Sequence, residues 1–187
     1  MEEQFINICL SGNLEEAKNF LTNNPNALVG YQAVNDAFEI VYERGYLEFS
    51  EWIYEKNPEV DISAYDELLF REACYSGNLE IAKWLLKVKP DINISTWDED
   101  AFRQACYYGH LELAKWLLQV KPSIDISADK DWAFESACKT NKLEVAEWLQ
   151  SLKPEKYHLE VVDNKIISYK IKINDNTLMR KQVIMAV

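Results

Sequence analysis

The chain repeats itself about every 32 residues, and no other feature constrains its fold as tightly. The stretch Ala101-Phe-Arg-Gln-Ala-Cys-Tyr-Tyr-Gly-His-Leu-Glu-Leu-Ala-Lys-Trp-Leu-Leu-Gln-Val-Lys-Pro122 has a close relative at Leu69 to Pro90. Looser copies begin near Phe5, Phe38 and Phe134. The leading aromatics Phe5, Phe38, Phe70, Phe102 and Phe134 are spaced 33, 32, 32 and 32 residues apart. A fixed period in this range marks a solenoid built by stacking one supersecondary unit. The units divide the chain at about 1–35, 36–67, 68–99, 100–131 and 132–156, and residues 157–187 break the period.

Each unit reads as two helices. In the fourth copy Phe102, Ala105 and Cys106 follow the i, i+3, i+4 rule of an apolar helical stripe. Gly109 then ends the helix, because glycine enters the left-handed conformation past a helix end without steric cost. Gly12, Gly45 and Gly77 hold the same place, and Asn141 holds it in the fifth copy. A second helix starts at Leu111, equivalent to Leu14, Leu47, Leu79 and Leu143. The following glutamate (Glu15, Glu48, Glu80, Glu112, Glu144) suits the positive end of a helix dipole. Pro25, Pro58, Pro90, Pro122 and Pro154 stop the second helix, since proline disfavours helical geometry in the residue before it. Asp91-Ile-Asn-Ile-Ser95 and Ser123-Ile-Asp-Ile-Ser127 alternate with period two and predict an extended finger between units. The sequence is softest at Asn23-Asn24-Pro25-Asn26 and the irregular Leu28 to Asn35.

Trp52, Trp84, Trp116 and Trp148 share one slot on the second helix, flanked by Leu and Ala, and predict a buried core ladder. Truncating one costs ~3–5 kcal/mol if it is fully buried. Asn19 takes this slot in the first copy, as expected of a terminal repeat with a more polar outer face. Cys9, Cys74, Cys106 and Cys138 each follow the lead aromatic by four residues, so they read as reduced core residues of an intracellular protein rather than as disulfide partners.

Composition narrows the function classes. Residues 1–154 carry 14 basic and 27 acidic side chains, a net charge of −13, whereas 155–187 carry 6 basic and 4 acidic. An acidic body argues against nucleic-acid binding, which needs cations at the phosphates. No apolar run is long enough to cross a bilayer, and the acidic start Met1-Glu-Glu-Gln argues against a signal peptide.

Catalytic and metal motifs are weak. Cys106 and His110 are four apart, but no second cluster has zinc spacing. Asp98-Glu99-Asp100 and Asp129-Lys130-Asp131 lack the other ligands of a calcium loop and its central glycine. No phosphate loop, nucleophile elbow or kinase signature is present. The expectation is a protein without enzymatic activity, cofactor or metal.

Two helices and a finger at this period resemble ankyrin repeats. Gly109-His-Leu-Glu-Leu-Ala-Lys-Trp-Leu-Leu118 is similar to the family's second-helix signature, and the resemblance runs from about Phe5 to Pro154. Two departures stand out. The family's Thr-Pro-Leu-His opening is replaced by Asp-Ala-Phe-Arg at 100–103, and its Gly-Ala-Asp finger entry by Lys-Pro-Ser or Lys-Pro-Asp. The Lys-Trp-Leu and Lys-Pro style is similar to the ankyrin proteins of giant DNA viruses, which implies a protein acting in the cytoplasm of an infected host cell. The fold expected is mainly α: a solenoid of about five ankyrin repeats with extended fingers and a short β-rich C-terminal cap.

In the tail, Leu159, Val161 and Val162, then Ile166, Ile167, Tyr169, Ile171 and Ile173, flank Asp163-Asn164 and predict a β-hairpin over the open end of the stack. A partner-docking appendage is the alternative. From about Asn174 onward a short helix and an irregular end both remain open.

The resemblance implies a binding module that uses its concave face. By register the candidate contacts are Glu72, Tyr75, Gln104, Tyr107, Ser136 and Lys139 on first helices, with Trp97, Asp98, Asp100, Lys130 and Trp132 on fingers. Trp97 and Trp132 lie outside the core ladder, and Trp is a favoured interface anchor. The partner expected is a protein of basic or mixed surface, in a host cell if the viral resemblance holds, with no nucleic acid or membrane and a monomeric chain as the default. The rival reading is a substrate adaptor for ubiquitin ligation whose tail docks the ligase.

Overall fold

The expected helix pair forms in each repeat, in a computed structural model that describes residues 1–27, 31–58, 60–174 and 177–182. Among the described residues the first helices are α1 (Glu2–Ser11), α3 (Tyr31–Glu43), α5 (Ala64–Ser76), α7 (Thr96–Tyr108) and α9 (Ala128–Lys139). The second helices are α2 (Leu14–Asn23), α4 (Leu47–Lys56), α6 (Leu79–Val88), α8 (Leu111–Val120) and α10 (Leu143–Leu152). Gly109 adopts the left-handed conformation expected of it, with φ 87°. Its N–H then meets Cys106 O at 3.2 Å and the next N–H meets Ala105 O at 2.8 Å, which closes two carbonyls left open by the helix end. Asn141 does the same work at φ 54°. Every second helix ends before its proline, as the sequence requires. Of the irregular stretch around Leu28, residues 28–30 lie outside the described residues, and α3 is already formed at Tyr31.

The chain forms two compact units, Met1–Leu69 with Glu80–Asp91, and Phe70–Leu79 with Ile92–Val187. In the first, Phe5, Cys9, Phe38, Val41, Phe49, Ile53, Ile81 and Leu85 make the core. Phe38 meets Trp84 with ring centroids 6.2 Å apart, and the hydroxyl of Tyr42 donates to Leu69 O. In the second, the core contains Phe70, Cys74, Phe102, Cys106, Leu113, Leu117, Phe134, Cys138 and Leu149. The four cysteines are free and buried. Burial pushes the Cys9 thiol up to about 12 and raises the other three as well.

The tryptophan ladder needs correction. Only Trp84 is buried; Trp52, Trp116 and Trp148 are half-buried. Each of the later rings packs one face on the lead phenylalanine of the preceding repeat: Trp116 on Phe70 at 6.4 Å and Trp148 on Phe102 at 6.2 Å. Leu and Ala neighbours identified the slot but not the single-sided packing of so large a ring.

In the fingers Ile92, Ile94, Ile124 and Ile126 turn inward and are buried, in segments of turn and irregular chain. After them the chain enters a left-handed turn: Trp97, Asp98 and Glu99 have φ of 54°, 58° and 63°, and Asp129, Lys130 and Asp131 have 49°, 58° and 66°. Left-handed geometry costs roughly 1–2 kcal/mol for each non-glycine residue, so these turns must be held by other contacts.

The tail is a three-stranded antiparallel sheet, β1 (Tyr157–Val162), β2 (Lys165–Asn174) and β3 (Thr177–Gln182), in the order β1-β2-β3. Asp163 and Asn164, with φ of 49° and 58°, supply the two positive angles that a two-residue hairpin turn needs. The segment beyond Asn174, left open between helix and irregular chain, pairs with β2 as a third strand; residues 183–187 lie outside the described residues. Phe134, the last lead aromatic, has no following repeat to supply a tryptophan. Tyr157 stacks on it instead at 4.2 Å and 9°, and Tyr169 meets it edge-on at 6.0 Å. The Tyr157 hydroxyl donates to Asp131 Oδ1 at 2.6 Å, and Lys156 Nζ reaches the same oxygen at 2.6 Å. Burial, reinforced by the bond to Asp131, pushes the Tyr157 phenol well above its ordinary range.

Candidate protein-binding site

The left-handed turn at Trp97 is the most constrained exposed feature of the second unit. Arg103, one turn along α7, reaches back with Nη2 to Trp97 O at 3.0 Å and with Nε to Asp98 O at 2.9 Å. Its Nη1 pairs with Asp129 of the next turn at 3.0 Å. Asp98 Oδ2 in turn accepts the Asp129 N–H at 3.1 Å. Successive turns are therefore linked through one arginine and one carboxylate. Asp100 bridges Arg71 at 3.2 Å and Arg103 at 3.6 Å, and also accepts from Gln104 at 3.1 Å.

The Trp97 ring carries the Arg71 guanidinium 4.9 Å from its centroid, yet the residue remains 62% exposed. A large apolar ring is thus held in place while most of it faces water. Trp132, the other expected anchor, is half-buried. It stacks on Tyr107 at 5.5 Å and lies under Arg103 at 5.4 Å, so its burial falls between the exposed Trp97 and the core.

The remaining candidates separate by accessibility. Glu72, Tyr75, Asp98, Lys130 and Lys139 are exposed, and Lys139 pairs with Glu135 at 2.6 Å. Gln104, Tyr107 and Asp100 are half-buried. Ser136 does not face outward as its register suggested. It is buried and donates to Ala133 O at 3.1 Å.

Three residues escaped the sequence reading. They are Arg71, Arg103 and Tyr108. Tyr108 lies 4.3 Å from Tyr75 and 4.7 Å from Tyr107. Its hydrogen bond with Tyr75 pushes its phenol up to about 12. His110 stacks on Tyr108 at 6.2 Å, and its Nε2 lies 3.0 Å from Tyr75 O. This contact links one inter-helix turn to the preceding repeat.

Residues 69–160 match the family model for ankyrin repeats, in three copies. Residues 69–160 carry ankyrin repeats. No curated protein matches it, so no relative supports the closer resemblance to giant-virus proteins. Ankyrin repeats mark a protein-protein interaction module, and such modules are typically not enzymes. Among the described residues no helix is long and apolar enough to cross a membrane, and no group of three or more His, Cys, Asp or Glu is placed to hold a metal ion.

Proposed function

We propose that this chain binds a protein partner through the face of its ankyrin repeats that carries α7, α9 and the C-terminal part of α5, with Trp97 as the anchor. One observation carries the reading: an indole 62% exposed whose backbone and ring are both fixed by arginines. Fixing a side chain before association lowers the entropy cost of ordering it at an interface. Strained backbone also tends to persist where it serves a site. Around this anchor Glu72, Tyr75, Asp98, Gln104, Tyr107, Lys130 and Trp132 form the rim, with Asp100 holding the arginines and Lys139 at the far edge. Ser136 contributes packing only.

The C-terminal sheet is better read as a cap than as a ligase-docking element. Tyr157 and Tyr169 spend their rings on Phe134 and are buried, whereas a docking element keeps its aromatic surface open. A host-cell partner follows only from the sequence resemblance. The test is capture of partners from cell lysate by the intact chain and by a Trp97→Ala variant of verified fold. A protein retained by the first and lost by the second is the expected result. Identical captures by both would remove Trp97 from the site.

A further inference from the structure

Resting on the reading that this face binds protein, the geometry points to a narrower partner chemistry: the aromatic strip Tyr75, Tyr108 and Tyr107, with Glu72 at its end, receives an arginine side chain of the partner. The rings run in sequence with centroids 4.3 and 4.7 Å apart. Tyr75 is 44% exposed. The chain shows how it treats such rings where it has an arginine available: Arg71 covers Trp97 and Arg103 covers Trp132. Among the described residues no arginine or lysine lies over Tyr75, Tyr107 or Tyr108.

The electrostatics of the strip favour a cation. Glu72 is exposed and makes no hydrogen bond or ion pair among the described residues, and its field helps to raise the Tyr108 phenol. Residues 1–154 carry an excess of 13 acidic over basic side chains. A guanidinium suits this site better than an ammonium. It is planar, stacks on aromatic faces and meets a carboxylate through two parallel N–H bonds. Tyr75 and Tyr108 would supply the ring faces and Glu72 the carboxylate, each drawing on an attraction that strengthens as the site loses water.

The probe is a seven-residue peptide alternating glycine and arginine, titrated into the full chain while tyrosine ring resonances are followed by NMR. The same peptide with citrulline keeps the shape and hydrogen-bonding planarity but not the charge. The expected result is a shift of the Tyr75 and Tyr108 signals with the arginine peptide. It is accompanied by at least tenfold weaker binding of the citrulline peptide, and of the arginine peptide to Glu72→Gln, an exposed change that leaves the fold intact. Binding indifferent to Glu72→Gln and without tyrosine shifts would mean general attraction to an acidic surface and would overturn the inference. So would light scattering that shows a dimer dissolved by Tyr75→Ala, since a second copy would then occupy the strip. Trp97-dependent capture with no arginine effect overturns this inference alone and leaves the binding reading standing.

Discussion

Arg103→Met isolates what holds the left-handed turn beneath Trp97. The guanidinium donates to Trp97 O at 3.0 Å and Asp98 O at 2.9 Å, and its side chain is only 13% exposed. Two bonds from a charged donor are worth roughly 1.5–3 kcal/mol each. Both carbonyls belong to exposed residues and regain water when the donor is gone, so the lower bound applies, about 3 kcal/mol for the pair. The ion pair to Asp129 is half-exposed on the acid side and adds roughly 0–1 kcal/mol. Asp100 keeps Arg71 and Gln104, so no carboxylate is stranded. The expected loss is about 3–4 kcal/mol in urea unfolding followed by circular dichroism. Arg103→Lys should recover a minority of it, because an ammonium cannot span both carbonyls and Asp129 at once. A loss below about 1 kcal/mol for Arg103→Met, well under the strain of three left-handed residues, would refute the view that the arginine holds the turn.

Other consequences can be checked with the same protein. Trp84→Ala, at a buried site, should cost ~3–5 kcal/mol. Trp116→Ala should cost less than half as much, because its outer face is already in water; equal values would contradict the one-sided packing. Removing residues 158–187 strips most of the sheet that packs on the fifth repeat, and should lower the melting temperature of the remaining repeats; an unchanged midpoint would support an independent appendage. Raised phenols favour the folded state while they stay protonated. The contribution from Tyr108 is therefore present below its ordinary value of 10.0 and lost as pH rises toward about 12. Ultraviolet titration should show a late-ionising tyrosine that Tyr75→Phe returns toward the ordinary value.

The period, the glycine turns, the proline stops and the cysteine slot were legible because each follows a local pattern repeated in four or five copies. The Trp slot was legible too, but not its exposure: whether a ring is covered on one side or two depends on a second neighbour, such as Tyr54 edge-on to Trp84. The left-handed turns were hidden because Trp97-Asp98-Glu99 and Asp129-Lys130-Asp131 contain no glycine to announce positive φ. Arg103 stabilises its turn from outside it, and no pattern within the turn points to that arginine. Tyr157 marked only the start of the tail; its replacement of a missing tryptophan on Phe134 depends on tertiary placement.

The most direct test places a photo-crosslinking amino acid at Lys130, an exposed residue of the proposed rim that leaves Trp97 in place, and, as a control, at Val120, which is 46% exposed at the end of α8. The account predicts that a captured partner crosslinks from position 130 and not from 120. Crosslinking from 120 alone would put the binding surface on the second helices and contradict the central claim.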